Sequence, residues 1–284
     1  MTANTVTLGT YAGDKVYQKD KSKLNMLKSS GIGTVIPWTI HISNKGDLYF
    51  NETTNMLASE GIYRGYPSWN GVLQALKTGG TVSRIVLSVG CCGQFTEIAN
   101  LGTKSGGALY KNFQAIHEAL PAIDGIDFDN ESKYDTQVTA DFALMLHAIG
   151  FKEVTFCPYT NMSYWVESLN AINKHVPGFV TAFHLQCYSG GAGNHPLEWM
   201  EALNGAVQDP PNFVFPGLAA ATLRGGDTPE AMTEKLKWWS QLCQSKFKSP
   251  LKGAWLWNYD AIVESNDPPR FDAYVAALKA GLGS

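Results

Sequence analysis

Short apolar, β-branched runs recur along the chain between stretches whose apolar residues keep helical spacing, the alternation expected of βα units around a parallel sheet. Eight such runs stand out: Thr5–Tyr11, Thr34–Ile42, Arg84–Val89, Ile123–Asp129, Glu153–Pro158, Val180–Tyr188, Phe213–Ala219 and Gly253–Trp257. Helical spacing marks Gly107–Leu120, Thr136–Ile149 and Pro229–Phe247, and Thr228 ahead of Pro229 makes a cap and first-turn pair. Eight units in one chain predict an α/β protein built as a single (β/α)8 TIM barrel rather than an open sheet. No repeat, low-complexity tract or Pro/Ser linker divides residues 1–284, so one catalytic barrel domain is expected. Asn44-Lys45-Gly46-Asp47 followed by Leu48-Tyr49-Phe50 predicts a hairpin inserted after the second strand.

Composition agrees with a large core. At 284 residues, 44% hydrophobic and 12% aromatic, the chain needs no staples, and disorder, collagen and a disulfide scaffold are excluded. Lys plus Arg is 22 against 25 Asp plus Glu, a net charge of −3 with no long block of either sign, so no nucleic-acid or membrane partner is expected. No apolar run approaches the roughly 18 residues of a membrane helix. Met1–Thr5 lacks the basic start of a secretory signal, so no export address is expected; a cytoplasmic location and secretion with the signal removed both stay open. The five cysteines, Cys91, Cys92, Cys157, Cys187 and Cys243, are odd in number and include an adjacent pair, which argues against a disulfide framework. Asn51, Asn130 and Asn161 head Asn-x-Ser/Thr sequons, a weak sign of glycosylation. A monomer is expected.

The fourth run carries the candidate chemistry: Asp124-Gly125-Ile126-Asp127-Phe128-Asp129-Asn130-Glu131. Side chains alternate across a strand, so Asp127, Asp129 and Glu131 share one face while Ile126 and Phe128 take the other. The competing reading, a solvated acidic strand end, does not account for so cleanly apolar an opposite parity. Stacked like charges have a use: burial and repulsion raise the pKa of at least one carboxyl until it holds a proton near neutrality. Glu131, outermost at a barrel mouth, is then the candidate general acid. A retaining glycosidase of the two-carboxylate kind also needs a nucleophile about 5 Å across the sugar, and a second face-on carboxylate from another strand end is hard to find here. Strand ends offer Tyr11, Trp38, Tyr159, Gln186, Tyr188, Trp255 and Trp257 instead. One acid cluster among many aromatics suits a substrate that supplies its own nucleophile, such as an N-acetylhexosamine.

Asp124–Glu131 resembles the Asp-Gly-x-Asp-x-Asp-x-Glu signature of the family 18 glycoside hydrolases, the chitinases and endo-β-N-acetylglucosaminidases. Ile85-Val86-Leu87-Ser88-Val89-Gly90 resembles the family's Ser-x-Gly-Gly element, with Cys91 in place of the second glycine. Gly253-Ala254-Trp255-Leu256-Trp257 is similar to its closing strand, and Gln186-Cys187-Tyr188-Ser189 to an element that ends in Tyr and then Asp or Asn. The resemblance implies substrate-assisted retaining cleavage of a β-1,4 bond next to N-acetylglucosamine, with no cofactor and no metal. Glu131 would protonate the leaving oxygen, Asp129 would orient the acetamido N–H, Asp127 would share a proton with Asp129, and Tyr188 would hydrogen-bond the acetamido oxygen. Trp257 would stack under the sugar, with Tyr11, Gln186, Tyr159 and Trp255 as further substrate-binding residues. Ser189 is shorter than Asp or Asn and would weaken the grip on the acetamido group.

Other constellations are weaker. His117-Glu118 lacks a second histidine four residues on, and His41, His147, His175, His184 and His195 show no metal spacing, which leaves them as surface or satisfied core residues. Cys157 and Cys187 read as packing residues near the mouth. Ser189–Asn194 lacks the lysine of a phosphate loop and reads as a flexible rim loop, and of Trp238 and Trp239 one is expected to be partly exposed. Two function classes follow: an endo-acting hydrolase of chitooligosaccharides or of the chitobiose core of N-glycans, and a lectin that keeps the sugar pocket without cutting. Retention of both Glu131 and Asp129 favours the enzyme.

Overall fold

The structure, a computed structural model, describes residues 6–17, 21–51, 54–91, 93–265 and 269–284. Eight parallel strands close on themselves: β1 (Thr7–Ala12), β2 (Thr34–Pro37), β3 (Arg84–Gly90), β4 (Gly125–Asp129), β5 (Glu153–Phe156), β6 (Val180–Gln186), β7 (Val214–Ala219) and β8 (Gly253–Trp257). Each pairs in parallel with the next, and β1 pairs with β8 from Thr7↔Gly253 to Thr10↔Leu256, which seals the ring. The predicted (β/α)8 barrel is therefore the fold. Among the described residues no helix is long and apolar enough to cross a membrane. Thr5 and Cys92, which entered the sequence reading, lie outside the described residues.

The pattern placed the elements closely. Thr136–Ile149 and Pro229–Phe247 are helices over those residues, and Thr228 caps the second by accepting from the Ala231 N–H at 3.3 Å. Gly107–Leu120 shortens to a helix over Ala108–Ala119. The second run was read as one strand, and the structure divides it. Trp38 and Thr39 interrupt it, so that β2 ends at Pro37, and Ile40–Ile42 keeps a parallel pairing to β3 at Ile40↔Val89 while it pairs antiparallel with Leu48–Phe50 on its other side. The hairpin predicted at Asn44–Asp47 is thus present, and it continues into two further short strands, Met56–Ser59 and Ile62–Tyr63, that the pattern did not announce. They are too short for a period of two to register.

The core follows strand parity. Ile126 and Phe128 point outward into the layer between strands and helices, where Phe128 stacks on Phe142 with ring centroids 5.0 Å apart. Cys187 and Leu185 face the same layer. A second, inner cluster of Tyr11, Ile36, Cys157, Ala182, Phe215 and Trp255 fills the barrel. Trp255 lies flat on β7 because residue 217 is glycine: a Cβ there would sit 2.0 Å from the indole. On the outer wall Trp238 is exposed and Trp239 buried.

Candidate functional site

The inward parity of β4 sends Asp127 and Asp129 into the barrel, and both are buried. Register decides what they meet. Ser88 of β3 and Thr155 of β5 lie level with Asp127 on either side. Four groups bond Asp127: Tyr11 Oη (2.7 Å) and Ser88 Oγ (3.3 Å) donate to Oδ2, Thr155 Oγ1 (2.5 Å) donates to Oδ1, and His184 Nδ1 lies 3.2 Å from Oδ1, its role set by the imidazole tautomer. That fills the roughly four acceptor positions of a carboxylate. No hydrogen bond joins Asp127 to Asp129, so the direct proton sharing expected between them is not what these partners provide.

One level up, Asp129 accepts from Trp38 Nε1 at 3.0 Å and from Gln186 Nε2 at 3.2 Å. Burial, then the Glu131 and Asp127 charges, push its carboxyl up to about 8, against the pull of the Trp38 N–H. Asp129 thus holds a proton at neutrality. Its backbone is fixed from β3: Cys91 N donates to Asp129 O at 2.7 Å, and Gly90, at φ +145°, allows the approach, since a Cβ there would lie 2.0 Å from that oxygen. Cys91 takes the left-handed region at φ +52°, which a glycine would adopt without strain.

Glu131 stands past the strand end and is exposed, with Gln186 Nε2 3.4 Å from Oε1. Gln186 therefore bridges Asp129 and Glu131. The turn that lifts Glu131 to the rim is set by Asn130, whose Oδ1 accepts from the Ser132 and Lys133 N–H groups at 3.1 Å each. Its Nδ2 donates to Lys133 O (2.6 Å) and Tyr164 Oη (2.7 Å). A buried side chain so fully bonded is no glycan acceptor, which corrects the reading of that sequon. Of the other two, Asn51 Nδ2 is occupied by Asp14 at 2.8 Å, and Asn161 is exposed.

Aromatic rings wall the carboxyls. Trp257 meets Trp38 edge-on at 5.1 Å, lies parallel to Tyr188 at 6.0 Å and 16°, and is 5.5 Å from Tyr11. Trp38, Tyr188 and Trp257 are half-buried and form the surface a ligand meets. Tyr11 and Trp255 are each 1% exposed, so they line the layer beneath and support that surface rather than face solvent. Burial, reinforced by neighbouring charge, holds the Tyr11 and Tyr188 phenols protonated far above neutrality, which keeps both as donors. A cavity of about 170 Å³ opens beside Trp38 and Trp257, with Asp14, Asn51 and Asp260 on its far wall. Two larger grooves, about 350 and 380 Å³, flank the helix Lys21–Ser29 outside the barrel and contain none of these residues.

Tyr159 stands apart on the rim, its ring against Gly190 and its carbonyl bonded by Asn194 Nδ2 at 2.8 Å. Asn194 also donates to Gln186 O (2.8 Å) and accepts from Trp199 Nε1 (3.2 Å). The Ser189–Asn194 segment, expected to be a loose loop, is thus fastened at its end. Three residues of the site escaped the sequence reading: Thr155, His184 as a partner of Asp127, and Asn130 as the anchor of Glu131. Interior parity on the fifth and sixth runs would have flagged the first two.

No protein-family model matches the sequence, and no curated protein does. Solved structures share the fold. The catalytic domain of a hyperthermophilic chitinase from Pyrococcus furiosus superposes with a TM-score of 0.70 at 10% identity, over 99% of this chain and 97% of that one. The catalytic domain of a family GH18 chitinase from the fern Peteris ryukyuensis gives 0.61 at 16% identity, over 98% and 100%. Concanavalin B gives 0.61 at 14% identity, over 97% and 98%. The chain thus shares its barrel fold, over 97–99% of its length, with these chitinase domains and with concanavalin B.

Proposed function

We propose that residues 1–284 form one catalytic domain, a family 18-type glycoside hydrolase that cleaves β-1,4 bonds next to N-acetylglucosamine with retention of configuration. The observation that carries this reading is the ascending row Asp127, Asp129 and Glu131, with the middle carboxyl protonated, under a wall of Trp38, Tyr188 and Trp257. Glu131, at the rim beside Gln186, protonates the leaving oxygen with the proton that Asp129 stores and passes on. The substrate's own acetamido oxygen attacks the anomeric carbon, because among the described residues no opposing carboxylate is bonded into the group. Asp129 holds the acetamido N–H, Tyr188 donates its hydroxyl to the acetamido oxygen, and Trp257 stacks on the sugar. The ligand is an oligosaccharide containing N-acetylglucosamine; among the fold neighbours, a thermostable chitinase domain from Pyrococcus furiosus is known complexed with chito-oligosaccharides.

Product analysis on chitotetraose beside a high-mannose glycopeptide tests the reading. Cleavage of either, a β-configured first product by proton NMR, and inhibition by an N-acetylglucosamine thiazoline are expected. An α-configured first product overturns the mechanism. Calorimetric binding without turnover of either substrate overturns the hydrolase and points to a lectin, with exposed Ser189 as the departure to examine first.

A further inference from the structure

Four hydrogen-bonding groups converge on Asp127, and three of them are hydroxyls. Tyr11, Ser88 and Thr155 can each turn from donor to acceptor, so they bond a protonated Asp127 as well as an ionised one. His184 differs. Its Nδ1 lies 3.2 Å from Oδ1 in a rigid ring, and a proton on that nitrogen favours the charged carboxylate. The ring is held in place by Phe215, nearly parallel at 6.4 Å and 27°, by Trp255 at 6.3 Å and by the edge of Tyr11 at 6.5 Å. It is buried inside the barrel, one layer below the surface a substrate touches, so it acts only through Asp127.

We propose that His184 is a positioning residue: its N–H fills the last acceptor site of Asp127 and so keeps the proton of the aspartate pair on Asp129, at the mouth. The titratable groups that face the pair are Tyr11 from β1, Asp129 and beyond it Glu131 from β4, Cys157 from β5, and Tyr188 just past β6, whose phenol burial also holds protonated. The strands β3, β7 and β8 bring Ser88, Phe215 and Trp255, which carry no charge. Burial holds the Tyr11 phenol and the Cys157 thiol protonated well above neutrality, so neither takes up the proton in question. Without the imidazole, Asp127 has an open acceptor site and competes for that proton. Its charge then weakens, and Asp129 ionises at lower pH.

The test is carbon-13 NMR of protein labelled at aspartate Cγ, in the wild type, His184→Phe and His184→Gln. Phenylalanine suits the ring of aromatic neighbours but removes the donor, and glutamine restores an N–H. In His184→Phe the Asp129 midpoint falls by about one pH unit or more, the size of a lost neighbouring charge, and Asp127 takes up part of the proton. His184→Gln stays near the wild type. Unchanged titrations in His184→Phe, or the same shift in both variants, overturn the proposal. Nitrogen-15 NMR of histidine in the wild type decides it without any variant: His184 must carry its proton on Nδ1 between about pH 6 and pH 8, and a bare Nδ1 overturns it. The kinetic consequence rests on the hydrolase reading: the alkaline limb of kcat on chitotetraose moves with the Asp129 midpoint while KM holds. Absence of turnover in the wild type counts against that reading alone, since the NMR titrations need no substrate.

Discussion

At the N-terminal ends of the strands, Glu153 takes two hydrogen bonds from Arg84, at 2.6 and 2.5 Å, and Asp124 is clasped by Lys77 at 2.7 Å and Lys152 at 3.0 Å. At the opposite end Asp127, Asp129 and Glu131 meet hydroxyl, indole, imidazole and amide groups, and among the described residues no lysine or arginine bonds them. The difference shows in protonation. Burial pushes Asp124 up, but the Lys77, Ile85 N–H and Lys152 donors outweigh it and hold its carboxyl below the usual range. Burial pushes Asp129 to about 8, and its neighbours add to the push. Carboxylates with cationic partners staple the floor of the barrel. Carboxylates denied them store a proton at the mouth, which is useful for chemistry and costs stability.

The largest expected effect is at the rim. Glu131→Gln lowers kcat by about 10²- to 10⁴-fold, the usual loss of a positioned general acid, and leaves oligosaccharide affinity and melting temperature nearly unchanged. Steady-state kinetics with calorimetry checks this, and wild-type turnover in the variant would remove Glu131 from the acid role. Next, Trp257→Ala weakens oligosaccharide binding by about 1 to 3 kcal/mol through lost stacking and burial, and lowers kcat as well, because a floor under a distorted sugar acts in the transition state. A raised KM with kcat untouched would leave Trp257 as a binding residue only.

The base responds in the other currency. Arg84→Met leaves Glu153 with the Thr181 hydroxyl as its remaining donor and destabilises the fold by about 2 kcal/mol in urea titration, with kcat/KM unchanged. The figure lies below that of a fully buried pair because the Arg84 side chain is 21% exposed. A comparable loss of activity without loss of stability would erase the contrast between the two ends.

A further effect, spread over several pH units, separates the ends by pH. Asp129 binds a proton in the folded chain but not in the unfolded one between its ordinary 3.8 and about 8, so its contribution to stability declines as pH rises through that window. The slope is about 1.4 kcal/mol per pH unit. Asp124, held low, contributes in the opposite sense: its stabilisation is present above the ordinary carboxylate range and is lost as pH falls through its lowered value. Asp129→Asn should therefore flatten the loss of stability from about pH 5 to about pH 8 in urea titrations and leave the acid-side loss in place. Equal slopes for variant and wild type would mean that Asp129 is ionised in the fold at neutrality.

Local periodicity sufficed for the elements and for the row of carboxylates. Alternation of two and 3.6 is written into neighbouring residues, so Thr136–Ile149, Pro229–Phe247 with its Thr228 cap, and the inward parity of Asp127 and Asp129 were all legible without the structure. What surrounds those carboxyls was not legible, because register between strands far apart in sequence is a product of barrel closure. Tyr11, Ser88, Thr155 and His184 come from four different strands to one carboxylate, 116, 39, 28 and 57 positions away along the chain. No short-range signal ties them together. The same closure decides which carboxyl keeps a proton. Glu131 extends past the strand into water, while Asp129 is enclosed by rings and by its own neighbours, and desolvation is a property of the packed molecule rather than of the residue.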